Sequence, residues 1–280
     1  MTPPRGRESD TDLRVLAHEA LGDPQGRPIL FLHGLFSRGR DLAPLAEAVT
    51  AGDSQARILL PDLLGHGASP PLPDNAVLAT VAGALVAWLD ALGVTERVAV
   101  VAHSMGGRVA LRARELAPER FGPLAFIDTP AGNLQQRRST LAPFIKALLS
   151  APAAADTQAE LLAPFEDIMI SAGLLRWISA QTAQGAEGKW SWTFNREAMA
   201  AYRWNTMGED LWSVVAQLGE GELTIVAPQR SAYVRAEDRE RYAELGFPVA
   251  VEPKGTHDMY KALAPDKLAL IRTAVGQPTR

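Results

Sequence analysis

The sequence predicts an α/β protein, with a mostly parallel central sheet, helices on both of its faces and a helical block inserted into it. Three observations carry this prediction. Four short runs in the first half are solidly apolar and end in turn residues: "RPILFLHG" (27–34), "ARILLPD" (56–62), "ERVAVVAHS" (96–104) and "GPLAFIDTP" (122–130). Strands buried on both faces read this way, whereas half-exposed strands alternate. Helical patterns separate the runs, which is how parallel strands are connected. The alternation then stops near 132 and resumes near 220.

Taken in order, the clearest helix covers 74–92. Val77, Leu78, Val81, Leu85, Trp88, Leu89 and Leu92 recur there at three-to-four spacing, and Asp74 or Asn75 is the expected N-cap. From about 132 to 219 the pattern is helical, with no run that reads as a buried strand. This stretch holds five of the six tryptophans: Trp177, Trp190, Trp192, Trp204 and Trp212. The alanine-rich "SAPAAAD" (150–156) reads as a loop. "ELTIVAP" (222–228), a helix over 236–245, "FPVAVEP" (247–253) and a last helix over 263–275 restore the alternation. A helical block between two strands of one sheet is most simply a cap over the C-terminal edge, where open α/β sheets bind ligands. The expected organisation is a flexible tail over 1–12, a core from 13–131 and 220–280, and a helical cap over 132–219.

Composition narrows the function. With 280 residues and 47% hydrophobic content the chain can bury a sizeable core. Its 28 Lys and Arg against 32 Asp and Glu give a net charge of −4, which argues against nucleic acid or an anionic membrane as main partner. The absence of cysteine excludes disulfides, thiolate metal sites and a cysteine nucleophile. No stretch approaches the roughly 20 apolar residues of a membrane span, and the polar start "MTPPRGRESDTD" has no apolar signal region. The expectation is a soluble, cytoplasmic protein, monomeric or a small homo-oligomer, acting on a small molecule.

Chemistry concentrates at "VAVVAHSMGGRVAL" (98–111). A buried strand ends at Ser104 and a helix begins, with Gly106 and Gly107 allowing close backbone approach. A sharp turn there strains the serine's backbone and lifts its hydroxyl above the sheet. This is the setting of a G-x-S-x-G nucleophile elbow, with Ala102 in place of the first glycine.

Four motifs in order then make the chain similar to the α/β-hydrolase superfamily from about residue 13 to the C-terminus. "FLHGLF" (31–36) resembles the family's HG turn, and "PDLLGHGAS" (61–69) its D-x-x-G-x-G-x-S turn. "AHSMGG" resembles the elbow, and "KGTHDMYKALAPDKL" (254–268) the histidine loop and final helix. The resemblance implies the α/β-hydrolase fold and a chain order of serine, acid, histidine. Of the five histidines, His18, His33, His66, His103 and His257, only His257 lies beyond Ser104, so it is the expected general base and acid. Many relatives carry the acid after the strand that is "LTIVAP" here, but Ser231 stands at that place. A subset that includes small bacterial esterases and thioesterases carries it after the preceding strand, which makes Asp128 the candidate. Asp238 and Glu237 are the fallback. The resemblance places the oxyanion donors at the N–H groups of Leu35 and Met105, and gives His33 a role in stabilising its turn.

The function expected is therefore a serine hydrolase that cleaves a carboxylic ester of a small to medium apolar acyl or aromatic substrate through an acyl-enzyme, without a cofactor. Phe36, His103, Trp204 and Tyr233 are added as candidate substrate contacts. The same fold and triad leave open an acyl-CoA thioesterase, a carbon–carbon bond hydrolase, a cofactor-free haloperoxidase or lactonase, and a slow-turnover ligand receptor. A metal site from His33, Asp62, His66 and Asp128 is rejected, because their spacings match no ligand pattern. Arg137 and Arg138 could bind a phosphate, although an exposed arginine pair is more often simply solvated.

Overall fold

The computed structural model of the protein describes residues 15–135, 142–166, 168 and 172–276. The tail expected over 1–12 and the pair Arg137 and Arg138 lie outside these residues. The first half runs β1 (His18–Gly22), β2 (Arg27–Leu32), α1 (Ala43–Thr50), β3 (Ala56–Pro61), α2 (Leu78–Ala91), β4 (Val98–His103), α3 (Met105–Leu116) and β5 (Phe121–Ile127). An inserted segment follows with α4 (Ala142–Ser150), β6 (Ala154–Ala155), α5 (Gln158–Leu162), α6 (Ala172–Ser179), β7 (Thr182–Gln184), β8 (Trp190–Trp192), α7 (Arg196–Gly208) and α8 (Trp212–Val215). The chain closes with β9 (Leu223–Pro228), α9 (Ala236–Glu244), β10 (Val249–Glu252) and α10 (Pro265–Ala274).

Seven strands form one sheet in the order β1-β3-β2-β4-β5-β9-β10. Only its first pair, β1 with β3, is antiparallel; the other pairs are parallel. The solid apolar runs are explained by the pleat, which sends successive side chains to opposite faces. Val98, Val100 and Ala102 of β4 join the layer under α2 and α3. Ala99 and Val101 join the layer under α1 and α10. Both faces are dry, so both sets must be apolar. Parallel pairing also brings the C-terminal ends of β4, β5 and β9 to one edge, where the site lies.

Three expectations need correction. The helix expected over 74–92 starts later, and neither Asp74 nor Asn75 caps it. Asn75 sits in a turn with φ 60°. The hydroxyl of Thr80 accepts from Val77 N–H (3.2 Å), and the carboxylate of Glu209, far along the chain, accepts from Leu78 N–H (2.9 Å). The inserted segment is not purely helical, since β6, β8 and β7 form a small antiparallel sheet. Part of "SAPAAAD" is strand β6 and not loop. Strands of two or three residues are too short to leave a periodicity.

Candidate active site

Ser104 follows the last residue of β4 and precedes the first of α3. Its backbone lies at φ 54°, ψ −117°, a conformation that non-glycine residues avoid. Hydrogen bonds hold it there. Ser104 N–H donates to the Ile127 carbonyl (3.0 Å), and the Ser104 carbonyl accepts from Gly107 N–H (3.2 Å) and the Thr129 hydroxyl (3.1 Å). A Cβ at Gly106 would collide with the carbonyl oxygens of Leu32 and His33, so only glycine lets the helix start this close to β2.

Asp128 follows β5, also at positive φ (50°), and is fully buried. Its N–H donates to the Val226 carbonyl (2.8 Å), which turns the carboxylate toward the site. Oδ2 lies 2.7 Å from His257 Nδ1, and Oδ1 accepts a 2.5 Å hydrogen bond from the Ser231 hydroxyl. The Ser231 oxygen in turn accepts from Tyr233 N–H (2.9 Å) and Val234 N–H (2.8 Å), which leaves its hydrogen directed at Asp128. His257 sits on the loop after β10, the edge strand. Two contacts hold that loop over the end of β4. The His257 carbonyl accepts from His103 Nε2–H (2.8 Å), and the His257 ring is flanked by His103 (4.6 Å between centroids) and Tyr233 (4.2 Å).

Two buried histidines shape the turn after β2. His33 Nδ1 donates to the Gly34 carbonyl (2.8 Å), which leaves Nε2 to accept from Leu63 N–H (3.0 Å). His66 Nδ1 donates to the Leu64 carbonyl (3.0 Å), and its Nε2 accepts from Phe36 N–H (3.4 Å). Each therefore ties the HG turn to the turn after β3, and neither has a lone pair left for a metal. Burial lowers the pKa of His33 to about 4; burial and then the neighbouring His33 lower that of His66 to about 3. Burial likewise holds His103 well below its ordinary value. Among the described residues no group of three or more His, Cys, Asp or Glu is placed to hold a metal ion.

A cavity of about 620 Å³ lies between this edge and the inserted segment, and Leu35, Phe36, Ser104, Met105, Trp177 and His257 all line it. Met105 opens α3, so its N–H has no partner within the helix. Phe36, itself left-handed at φ 60°, packs against Phe144 (4.9 Å) and Trp177 (4.6 Å), which begin an aromatic cluster in the inserted segment. His103 and Tyr233 also line the cavity. Trp204 does not, because it is 57% exposed on the outward side of α7. Trp212 is core, edge-on to Tyr242 (4.7 Å). The fallback acids are placed elsewhere. Asp238 is buried and accepts from Arg235 N–H (2.9 Å) at the start of α9, and Glu237 is exposed.

Sequence reasoning missed three residues at or beside this site. In the sequence Ser231 stands only as the residue in place of an acid, yet it is the second hydrogen-bond partner of Asp128. Arg108, almost fully buried, donates to four carbonyls: Pro130 (2.9 Å), Gly132 (3.0 Å), Thr206 (2.8 Å) and Glu209 (2.6 Å). The signal for it was a lone charge among the small apolar residues of 98–111. Arg203, buried on α7 and lining the cavity, left no signal, because a charge on a helical pattern reads as part of a solvated face.

Comparison with known proteins agrees with this architecture. The alpha/beta hydrolase family matches residues 29–269, and the chain belongs to that family and is a hydrolase. It is 30% identical over 214 residues to lipase LipV of Mycobacterium tuberculosis, covering 74% of this chain and 76% of that one. It is 31% identical over 126 residues to esterase YbfF of Escherichia coli, covering 45% and 48% of the two chains. A marine microorganism esterase of known structure superposes with a TM-score of 0.71 at 19% identity, covering 92% and 97%, a likeness of fold alone. None of the described helices is long and apolar enough to cross a membrane.

Proposed function

We propose that the protein is a serine hydrolase that cleaves a carboxylic ester of a small to medium apolar acyl or aromatic substrate through an acyl-enzyme. The observation that carries this reading is the 2.7 Å pairing of Asp128 with His257 Nδ1 over the same cavity edge as the strained Ser104. Relatives named lipase and esterase support it. Ser104 Oγ attacks the ester carbonyl while His257 Nε2 takes its proton. That proton passes to the departing alcohol, and the acyl group stays on Ser104. A water then gives a proton to His257, attacks the acyl-enzyme and releases the acid, and the proton returns to Ser104. Asp128 accepts from Nδ1–H throughout, which fixes the tautomer and stabilises the imidazolium. The N–H groups of Leu35 and Met105 bind the oxyanion. Ser104 Oγ has no hydrogen-bond partner among the described residues, and such contacts tighten when substrate binds. In this reading the segment 132–219 is the cap, and its aromatic cluster receives the apolar group.

Hydrolysis of p-nitrophenyl esters of rising acyl length tests this. Wild type should turn over repeatedly with a chain-length optimum. Ser104→Ala and His257→Ala should lose about a thousandfold or more in kcat, and Asp128→Asn at least about a hundredfold. A wild type that releases only one equivalent, or a Ser104→Ala variant that keeps its rate, would overturn the reading. An Asp128→Asn variant near wild type would overturn the acid assignment alone.

A further inference from the structure

The chain carries a net charge of −4, yet the cavity runs the other way. Six cationic side chains line it, Arg38, Arg40, Arg108, Arg176, Arg203 and Lys261, against the two carboxylates Asp41 and Asp258. Both carboxylates are already engaged. Asp41 accepts from the Ser37 hydroxyl (2.8 Å) and Arg38 N–H (2.9 Å), and Asp258 pairs with Lys261 (3.0 Å). Arg108 is committed to its four carbonyls. Excess cationic charge in a concave, low-dielectric site focuses potential and draws anions to it.

Within this set Arg203 differs in kind. Arg40, Arg176 and Lys261 are exposed, as expected of side chains at a mouth. Arg203 is 8% exposed and belongs to the cavity wall on α7, in a lining that also includes Tyr233 and His257. Burial holds its pKa below the ordinary arginine value, with the Tyr233 phenol acting in the opposite sense. A guanidinium in a cavity wall presents a planar fork of donors that matches a carboxylate or phosphate. The lining also has an apolar part, with Leu35, Phe36, Met105 and Trp177.

We infer that the substrate has two parts: an apolar portion held by the aromatic wall and an anionic group, carboxylate or phosphate, received by Arg203. This rests on the proposed function and deepens it. The exposed cations at the rim steer the anion inward and, unlike Arg203, act through screened, long-range attraction.

Two matched pairs test it. 4-Butyryloxybenzoate against 4-butyryloxybenzamide asks for a carboxylate. Butyryl-CoA against S-butyryl-N-acetylcysteamine asks for a phosphate. Each kcat/KM is divided by the compound's own hydroxide-catalysed rate. At low salt the anionic member of at least one pair should be favoured about tenfold or more, and added salt should shrink the preference. At a salt concentration that screens the rim cations, the ratio in Arg203→Met should fall to near one, and Arg203→Lys, which keeps the charge and loses the fork, should fall between. Calorimetric binding of the same four compounds to Ser104→Ala reads the same preference without turnover. A ratio near one in wild type for both pairs, or a ratio untouched by both Arg203 variants, overturns the inference while ester hydrolysis stands. If wild type turns over none of the four, the proposed function fails, and binding to Ser104→Ala alone decides whether the anion is recognised.

Discussion

At the scale of single residues, Ser231 shows how the site accommodates an acid on β5. The turn after β9 lies between Asp128 and the His257 loop, and a serine there supplies a hydrogen where a second carboxylate would repel Asp128. Its hydroxyl is fixed by two backbone donors and gives its hydrogen to Oδ1, leaving Oδ2 for His257. Ser231→Ala should therefore lower kcat about tenfold with little change in KM, because a charge-assisted hydrogen bond that orients the carboxylate is worth roughly 1.5–3 kcal/mol. Ser231→Thr should recover most of the loss. An unchanged kcat in Ser231→Ala would show that Asp128 is held well enough by Val226 and His257. Ser104 and His257 were legible in the sequence because strand, turn and helix signals surround them, and Asp128 because its strand ends cleanly. Ser231 was visible as a vacancy but not as a donor, since hydroxyl direction depends on partners from a distant turn.

Among the elements, the inserted segment pairs no strand with the central sheet, so its register on the core must come from side chains. Glu209, just after α7, makes the connection. Oε1 accepts from the first N–H of α2, Oε2 pairs with Arg112 of α3 (2.6 Å), and its carbonyl accepts from Arg108. Burial lowers the pKa of Arg108 to about 10, which leaves it charged at neutral pH and bonded to both the β5 loop and the end of α7. Arg108→Met should destabilise the fold by about 3 kcal/mol or more in urea unfolding, because buried carbonyls lose their partner. Glu209→Gln should cost about 1 kcal/mol, since its partners are partly exposed and screened. Comparable small losses for both would mean that the aromatic cluster, and not this clamp, sets the register. These contacts span about 100 residues of sequence, so no local pattern announces them. The parallel strands were legible for the opposite reason: burial on both faces writes itself into each run. The edge strand β1 was not, because its residues are mostly exposed and it has no apolar run.

For the whole molecule, the two turns that shape the site are tied by neutral, fully buried histidines, and this sets how stability depends on pH. His33 and His66 hold folded-state pKa values of about 4 and about 3 against an ordinary value of 6.5, with burial as the leading cause. Between those limits the unfolded chain binds more protons than the native one. The stabilisation is complete above pH 6.5 and is lost as pH falls toward 4 and 3. The loss amounts to about 2 kcal/mol per histidine between about pH 7 and about pH 5. Urea midpoints measured across that range should therefore fall steeply, ahead of any carboxylate titration. His66→Gln keeps a donor and an acceptor but cannot titrate, so its stability at pH 7 should be lower and its slope with pH shallower by close to one proton. A wild-type slope that the variant fails to reduce would place the acid sensitivity in other groups. The same substitution also loosens the support of Phe36 N–H, so KM for long-chain esters should rise if the HG turn shapes the apolar wall. Stability and substrate fit would then move together, as expected when one buried ring holds both the turn and the pocket residue beside it.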